Sequence, residues 1–129
     1  MKNYCTSDAK FSGQCGFFHP PLASAPNLGG TLENYVNWMK MTAKDLMPGC
    51  YLTDVSQAYD SDSNTALFAG VFHGTHSKTP NGSNLPSPTM KYVATDCSYK
   101  IEINEEGKIS SMVKVWNSEW LQRELGWIN

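Results

Sequence analysis

The chain has 129 residues, enough for one domain with a usable core, and its 40% hydrophobic and 17% charged residues give a globular rather than a disordered balance. A net charge of -2, with acidic and basic residues interspersed, leaves no basic field for nucleic-acid phosphates. The longest apolar run, Ala66 to Phe72, is far short of the ~20 residues a bilayer helix needs, and Met1-Lys2-Asn3-Tyr4 leads into polar residues rather than a secretory leader. The expectation is a cytoplasmic protein spanning 1–129 as a single domain, with neither membrane nor nucleic acid as partner.

Residues 1–30 carry little pattern. Phe11 and Gly16-Phe17-Phe18-His19 are candidates for a short strand, and Pro20, Pro21, Pro26, Gly29 and Gly30 break regular structure after them. A helix is predicted from about Leu32 to Met47, with Thr31 as N-cap, Glu33 in the first turn and Pro48-Gly49 as the stop. Leu32, Tyr35, Val36, Met39, Ala43, Leu46 and Met47 share one face and are expected to form its core side. At ~100° per residue Trp38 and Met41 fall nearly opposite, a second apolar patch that calls for a partner.

Tyr51 to Ala58 reads as a strand, followed by a turn at Asp60-Ser61-Asp62-Ser63-Asn64. That turn imitates the start of a calcium loop but lacks its glycine and distal glutamate. Thr65 to His76 reads as a long strand whose two alternating sets are both apolar at first, so both of its faces are expected to be covered. Ser77 to Pro88 is a loop rich in Pro, Gly, Ser and Asn. Lys91 to Asn104 and Ile109 to Trp116 form a hairpin around Glu105-Glu106-Gly107-Lys108. In the returning strand Val113 and Val115 face one way and Met112 and Trp116 the other. Ser118 is the expected cap of a short closing helix that ends at Gly126. The four cysteines, Cys5, Cys15, Cys50 and Cys97, are widely spaced and contain no CxxC pair. They read as free thiols rather than a zinc site, with Cys97 buried in a strand.

Four pieces in order carry a family resemblance: Phe72-His73-Gly74-Thr75-His76, the loop Pro86-Ser87-Pro88-Thr89-Met90-Lys91, the hairpin Glu106-Gly107-Lys108-Ile109, and Val115-Trp116-Asn117 with Leu125-Gly126. Over roughly residues 45–127 the chain resembles the SnoaL-like, polyketide cyclase-like branch of the nuclear transport factor 2 superfamily. The resemblance implies an α+β fold: a cone-shaped, strongly curved antiparallel sheet packed on helices, with a pocket between them. It also implies homodimers formed through the sheet; the Trp38/Met41 patch adds the expectation of a homodimer or higher homo-oligomer, and no cofactor is expected. Three departures stand out. Met90 occupies a position that is usually glycine. Asn117 lies near where many relatives place acidic or histidine side chains. No helical pattern precedes residue 31, so the N-terminal region is shortened or atypical beside relatives that begin with a long helix.

The candidate acid–base residues are His76 and Asp96, with Tyr99 as a polarising donor. Histidine suits proton transfer near neutrality, and an aspartate in an apolar cavity can abstract a proton beside a carbonyl. The competing readings are that His76 orders the proline-rich loop and that Asp96 forms an exposed ion pair with Lys114. His73 alternates to the other face, so at most one of the two histidines enters a given pocket. Tyr35, Trp38, Phe72, Met112 and Trp116 are the candidate ligand-binding walls, with plain core as the alternative. No metal site is expected. The favoured function is binding of a small apolar carbonyl or hydroxyl compound, with cofactor-free aldol cyclisation, isomerisation or hydration as the chemistry. The alternative is a non-catalytic binding or oligomeric assembly module.

Overall fold

The computed structural model describes residues 3–13 and 30–129. Strand β1 (Cys5–Gly13) is followed by helix α1 (Leu32–Met41), strands β2 (Tyr51–Asp60), β3 (Thr65–Thr75), β4 (Tyr92–Ile103) and β5 (Ile109–Trp116), and helix α2 (Ser118–Glu124). The strands form one sheet in the order β1-β5-β4-β3-β2. Pairing from β2 to β5 is antiparallel, but β1 joins β5 in parallel, with Phe11 beside Met112 and Gly13 beside Lys114. The sheet is therefore mixed rather than wholly antiparallel. The expected irregularity of residues 1–30 also gives way, because the chain from Cys5 to Gly13 is a strand. Its apolar residues are too few for a period-two pattern, and its partner lies about a hundred positions along the chain. The candidate strand at Gly16–His19, Cys15 and most of the stretch ahead of residue 31 lie outside the described residues.

Helix α1 starts where expected, with the Thr31 hydroxyl accepting from the Asn34 N–H at 3.2 Å. It continues past Met41 as one π-turn, Thr42–Leu46. The carbonyl freed at Leu46 accepts from the N–H groups of Ser77 and Lys78, which ties the helix end to the loop after β3. The second apolar patch is not a patch. Trp38 is 3% exposed and sits in the core, and Met41 packs against it. The inward stripe runs through Tyr35, Trp38, Thr42 and Leu46. Its centre is the polar Thr42, also buried; of the expected core face Leu46 and Met47 are buried and Tyr35 and Met39 pack against the core, so the inward side is shifted toward Trp38.

Strand parity divides the sheet into two faces. The inner face carries Phe11, Phe72, Val93, Cys97, Met112 and Trp116, which pack with Trp38, Leu46, Met47, Leu121 and Leu125. Strand and helix approach closely at Gly74, where an added Cβ would lie 2.7 Å from Met47 Sδ. The outer face carries Leu67 and Val115, 49% and 50% exposed. The expectation that both faces of β3 are covered thus holds for the inner face only. Edge strand β2 bulges where Asp54 and Val55 together oppose Gly70, with Asp54 in the left-handed region at φ 51°.

The Asp60–Asn64 turn is held by its own aspartate, which accepts from Asp62 N–H at 3.0 Å and Ser63 Oγ at 2.6 Å. At the β4–β5 hairpin Asn104 Oδ1 accepts from the N–H groups of Glu106 and Lys108. Helix α2 is capped by the Asn117 side chain, which accepts from Trp120 N–H, rather than by Ser118. The position at which the chain departs from the resemblance is thus occupied by a helix cap.

Candidate functional site on the inner face of the sheet

The candidate walls converge. Phe11 and Tyr35 rings lie 4.5 Å apart, Tyr35 and Trp38 6.1 Å, Trp38 and Trp116 5.4 Å edge-on, and Trp116 and Phe72 6.1 Å edge-on. Met112 is buried beside Phe11. One strand of β-parity and one helix stripe thus join five aromatic rings across four elements.

At the middle of this row lies a residue that was not a sequence candidate in its own right. Lys114 is 1% exposed. Its Nζ lies 4.1 Å from the Trp116 ring centroid, 4.5 Å from Trp38 and 5.3 Å from Tyr99. Ring faces carry negative potential, so three of them offset part of the cost of removing an ammonium from water. The lysine's field reaches two thiols. Burial pushes the Cys97 thiol up, partly opposed by the Lys114 charge. Burial likewise raises Cys50, opposed by a backbone hydrogen bond and by Lys114. Both shifts favour the protonated thiol. The signal for Lys114 was present in the sequence: it sits two positions from both Met112 and Trp116, and so shares their face.

His76 lies just beyond β3 on the inner parity and is fully shielded, at 0% exposed. Its Nδ1 receives the Trp127 Nε1–H at 3.0 Å and the Thr89 backbone N–H at 3.2 Å. Two N–H donors on one nitrogen require that nitrogen to be unprotonated. Nε2 then carries the proton and donates to Thr79 Oγ1 at 3.3 Å, while Thr79 passes its own proton to the Pro86 carbonyl at 2.6 Å. Burial holds the imidazole below its ordinary pKa, opposed by a backbone hydrogen bond involving Lys78. His76 thus ties the strand end, the proline-rich loop and the C-terminal segment together, which is the loop-ordering role among its expected alternatives.

Asp96 pairs with Val71 across the ladder and faces outward, exposed. Lys114 faces inward, so the expected Asp96–Lys114 ion pair does not form. Of the acid–base candidates, Tyr99 alone joins the aromatic row. His76 and Asp96 lie on different sides of the sheet. The outer face has its own polar group: His73 Nε2 lies 2.7 Å from Thr53 Oγ1 and Nδ1 2.5 Å from the Tyr92 hydroxyl, with Tyr51 stacked on the ring at 4.7 Å. Among the described residues no three His, Cys, Asp or Glu side chains group to hold a metal ion, and no helix is long and apolar enough to cross a membrane.

Comparison with solved structures gives the fold. AclR from Streptomyces galilaeus, a proposed hydroxylase, superposes with a TM-score of 0.71 at 16% identity, over 98% of this chain and 81% of that one. A proposed SnoaL-like polyketide cyclase from Jannaschia sp. CCS1 gives 0.70 at 9% identity, over 98% and 76%. IdmH from Streptomyces antibioticus, a proposed polyketide cyclase, gives 0.62 at 17% identity, over 97% and 84%. No family model and no curated protein sequence matches the chain. The chain thus shares the α+β fold of these structures.

Proposed function

We propose that this chain binds a small, mainly apolar compound bearing a carbonyl or hydroxyl group against the inner face of the sheet. The observation that carries the reading is the convergence of Tyr35, Trp38, Trp116, Phe72 and Tyr99 on one face, where rings supply apolar contact and a phenol supplies a polar tip. The names of the similar structures, polyketide cyclases and a hydroxylase, support it. On this geometry Tyr99 polarises the ligand, His76 holds the loop in place, and Asp96 does not meet the same ligand. The test is a thermal-shift screen of small ring ketones and phenols. Hits should quench tryptophan fluorescence and weaken about tenfold in Tyr99→Phe, a loss of about 1.4 kcal/mol, and Asp96→Ala should leave them unchanged. Hits indifferent to Tyr99→Phe, Trp38→Phe and Trp116→Phe alike sink the reading.

A second reading, self-association through the outer face, rests on a different observation. A groove of about 440 Å³ lined by Ser56, Ala58, Leu67, Ala69, Ser98 and Val115 lies open there. Four strands at ~4.8 Å spacing and about ten residues at ~3.3 Å offer roughly 600 Å², close to the ~800 Å² per partner of a stable interface. Asp96 and Lys100 flank Ser98 on β4, so a two-fold axis at Ser98 sets each aspartate against the partner's lysine. Light scattering should show a dimer that Leu67→Glu dissociates, and a monomer at micromolar concentration rules it out.

A further inference from the structure

We propose that Tyr92 is a redox-active tyrosine on the outer face of the sheet, which gives an electron to a small one-electron oxidant while its phenolic proton passes to His73. The inference is independent of the inner-face reading.

Three neighbouring strands build the group. Tyr51 on β2 stacks on the His73 ring of β3 at 4.7 Å, and the Tyr92 hydroxyl of β4 lies 2.5 Å from His73 Nδ1. The bulge in β2, with Asp54 at φ 51°, sets the Asp54 carboxylate 3.0 Å from Thr53 Oγ1 as its acceptor. With its proton committed there, Thr53 accepts from His73 Nε2 at 2.7 Å, which leaves the Nδ1 lone pair for the phenol. A phenol that loses an electron becomes a strong acid, so oxidation is far easier where a base already holds the proton by a hydrogen bond. A positioned base contributes typically about 10²–10⁴-fold to such a transfer. In the step, the O–H bond of Tyr92 breaks, the proton bonds to Nδ1 and the electron reduces the oxidant. A neutral phenoxyl radical is left beside an imidazolium, and through Thr53 the Asp54 carboxylate faces the new positive charge. The chain carries its own control. Tyr59 is 58% exposed and Tyr92 56%, and both hydroxyls are hydrogen-bonded, but Tyr59 donates at 2.8 Å to Asn64 Oδ1, an amide oxygen that is no base. Tyr4 and Tyr51 are as open, at 72% and 55%. Exposure therefore does not single out Tyr92; its acceptor does.

The probe is nitrogen dioxide generated by radiolysis, with the nitrated tyrosines mapped by peptide mass spectrometry. One molecule takes the electron and leaves as nitrite. A second adds to the ring carbon beside the phenoxyl oxygen, and the hydrogen there departs as a proton to give 3-nitrotyrosine. At limiting oxidant Tyr92 should be nitrated at least about tenfold more than Tyr59 in the parent. His73→Gln keeps a hydrogen-bond acceptor that takes no proton, and should bring Tyr92 down to the level of Tyr59 while Tyr4 and Tyr59 stay unchanged. Should His73→Gln fail to fold, the parent alone decides, by the ratio of Tyr92 to Tyr59 and by a slowing in heavy water at Tyr92 that exceeds that at Tyr59. Equal nitration of Tyr92 and Tyr59 in the parent overturns the proposal, and so does a preference for Tyr92 that survives His73→Gln.

Discussion

His73 and His76 stand three positions apart and on opposite faces of the sheet, and their surroundings differ in kind. His73 meets hydroxyls. Thr53 Oγ1 donates onward to Asp54 at 3.0 Å, so it accepts from His73 Nε2, and Tyr92 supplies a proton to Nδ1. Hydroxyls can turn, so either tautomer of His73 can be satisfied. His76 meets two N–H groups on Nδ1, neither of which can accept, so only one state of the ring fits. The Nδ1 of His76 thus has a fixed role, whereas the partners of His73 can exchange theirs. A residue type alone therefore says little about its task, and the donors around it say a great deal.

The contrast can be broken most strongly at His76. His76→Ala leaves buried donors from Thr89 and Trp127 unsatisfied and should cost about 3 kcal/mol in denaturant unfolding. The pH dependence follows the same logic. The folded pKa of His76 lies below the unfolded value of ~6.5, so below that pH the unfolded chain binds more protons and stability falls. The latch contributes fully above about pH 6.5 and is lost as the pH drops toward the folded pKa. Unfolding at pH 7.5 and 5.5 should show this loss in the parent and a flatter response in His76→Gln.

Next in size is Gly74→Ala, which places a Cβ against the fully buried Met47 and should cost about 1–3 kcal/mol. Met90→Gly should act the other way. Met90 is exposed and holds φ 57°, in the left-handed region that disfavours a side chain, so glycine should stabilise by about 0.5–1 kcal/mol. That conformation also accounts for the glycine expected in this loop. Smallest is Asp96→Ala on the outer face, expected within about 0.5 kcal/mol of the parent. A loss above 2 kcal/mol there would mean that Asp96 is not the solvent-facing residue the strand register makes it.

The antiparallel part of the sheet was legible because its cues are local. Alternation in Phe72, Gly74 and His76, the Glu105–Lys108 hairpin, and Met112 facing with Trp116 need only a period of two. That Met112 and Trp116 share the face of Phe72 was legible for the same reason. On α1 the expected Tyr35, Met39, Leu46 and Met47 do meet the core, but Trp38 was expected on the opposite side because the polar Thr42 interrupts the stripe, and Lys114 was no site candidate although its parity places it inside. Asp96 and His76 were paired by chemical type, and the register puts them on different sides.

By itself the sequence determined the elements from α1 onward, the α+β class and the membership of the two faces of β3 to β5, since these follow from periodicity and turn residues along the chain. Tertiary structure alone decided that β1 inserts parallel beside β5, that Trp38 rather than Val36 reaches the core, that three rings close around Lys114, and that His76 is committed to Trp127, 51 positions away. Each of these joins groups distant in sequence, and a contact of that kind is chosen by the packing of the whole fold, for which no local pattern is a substitute.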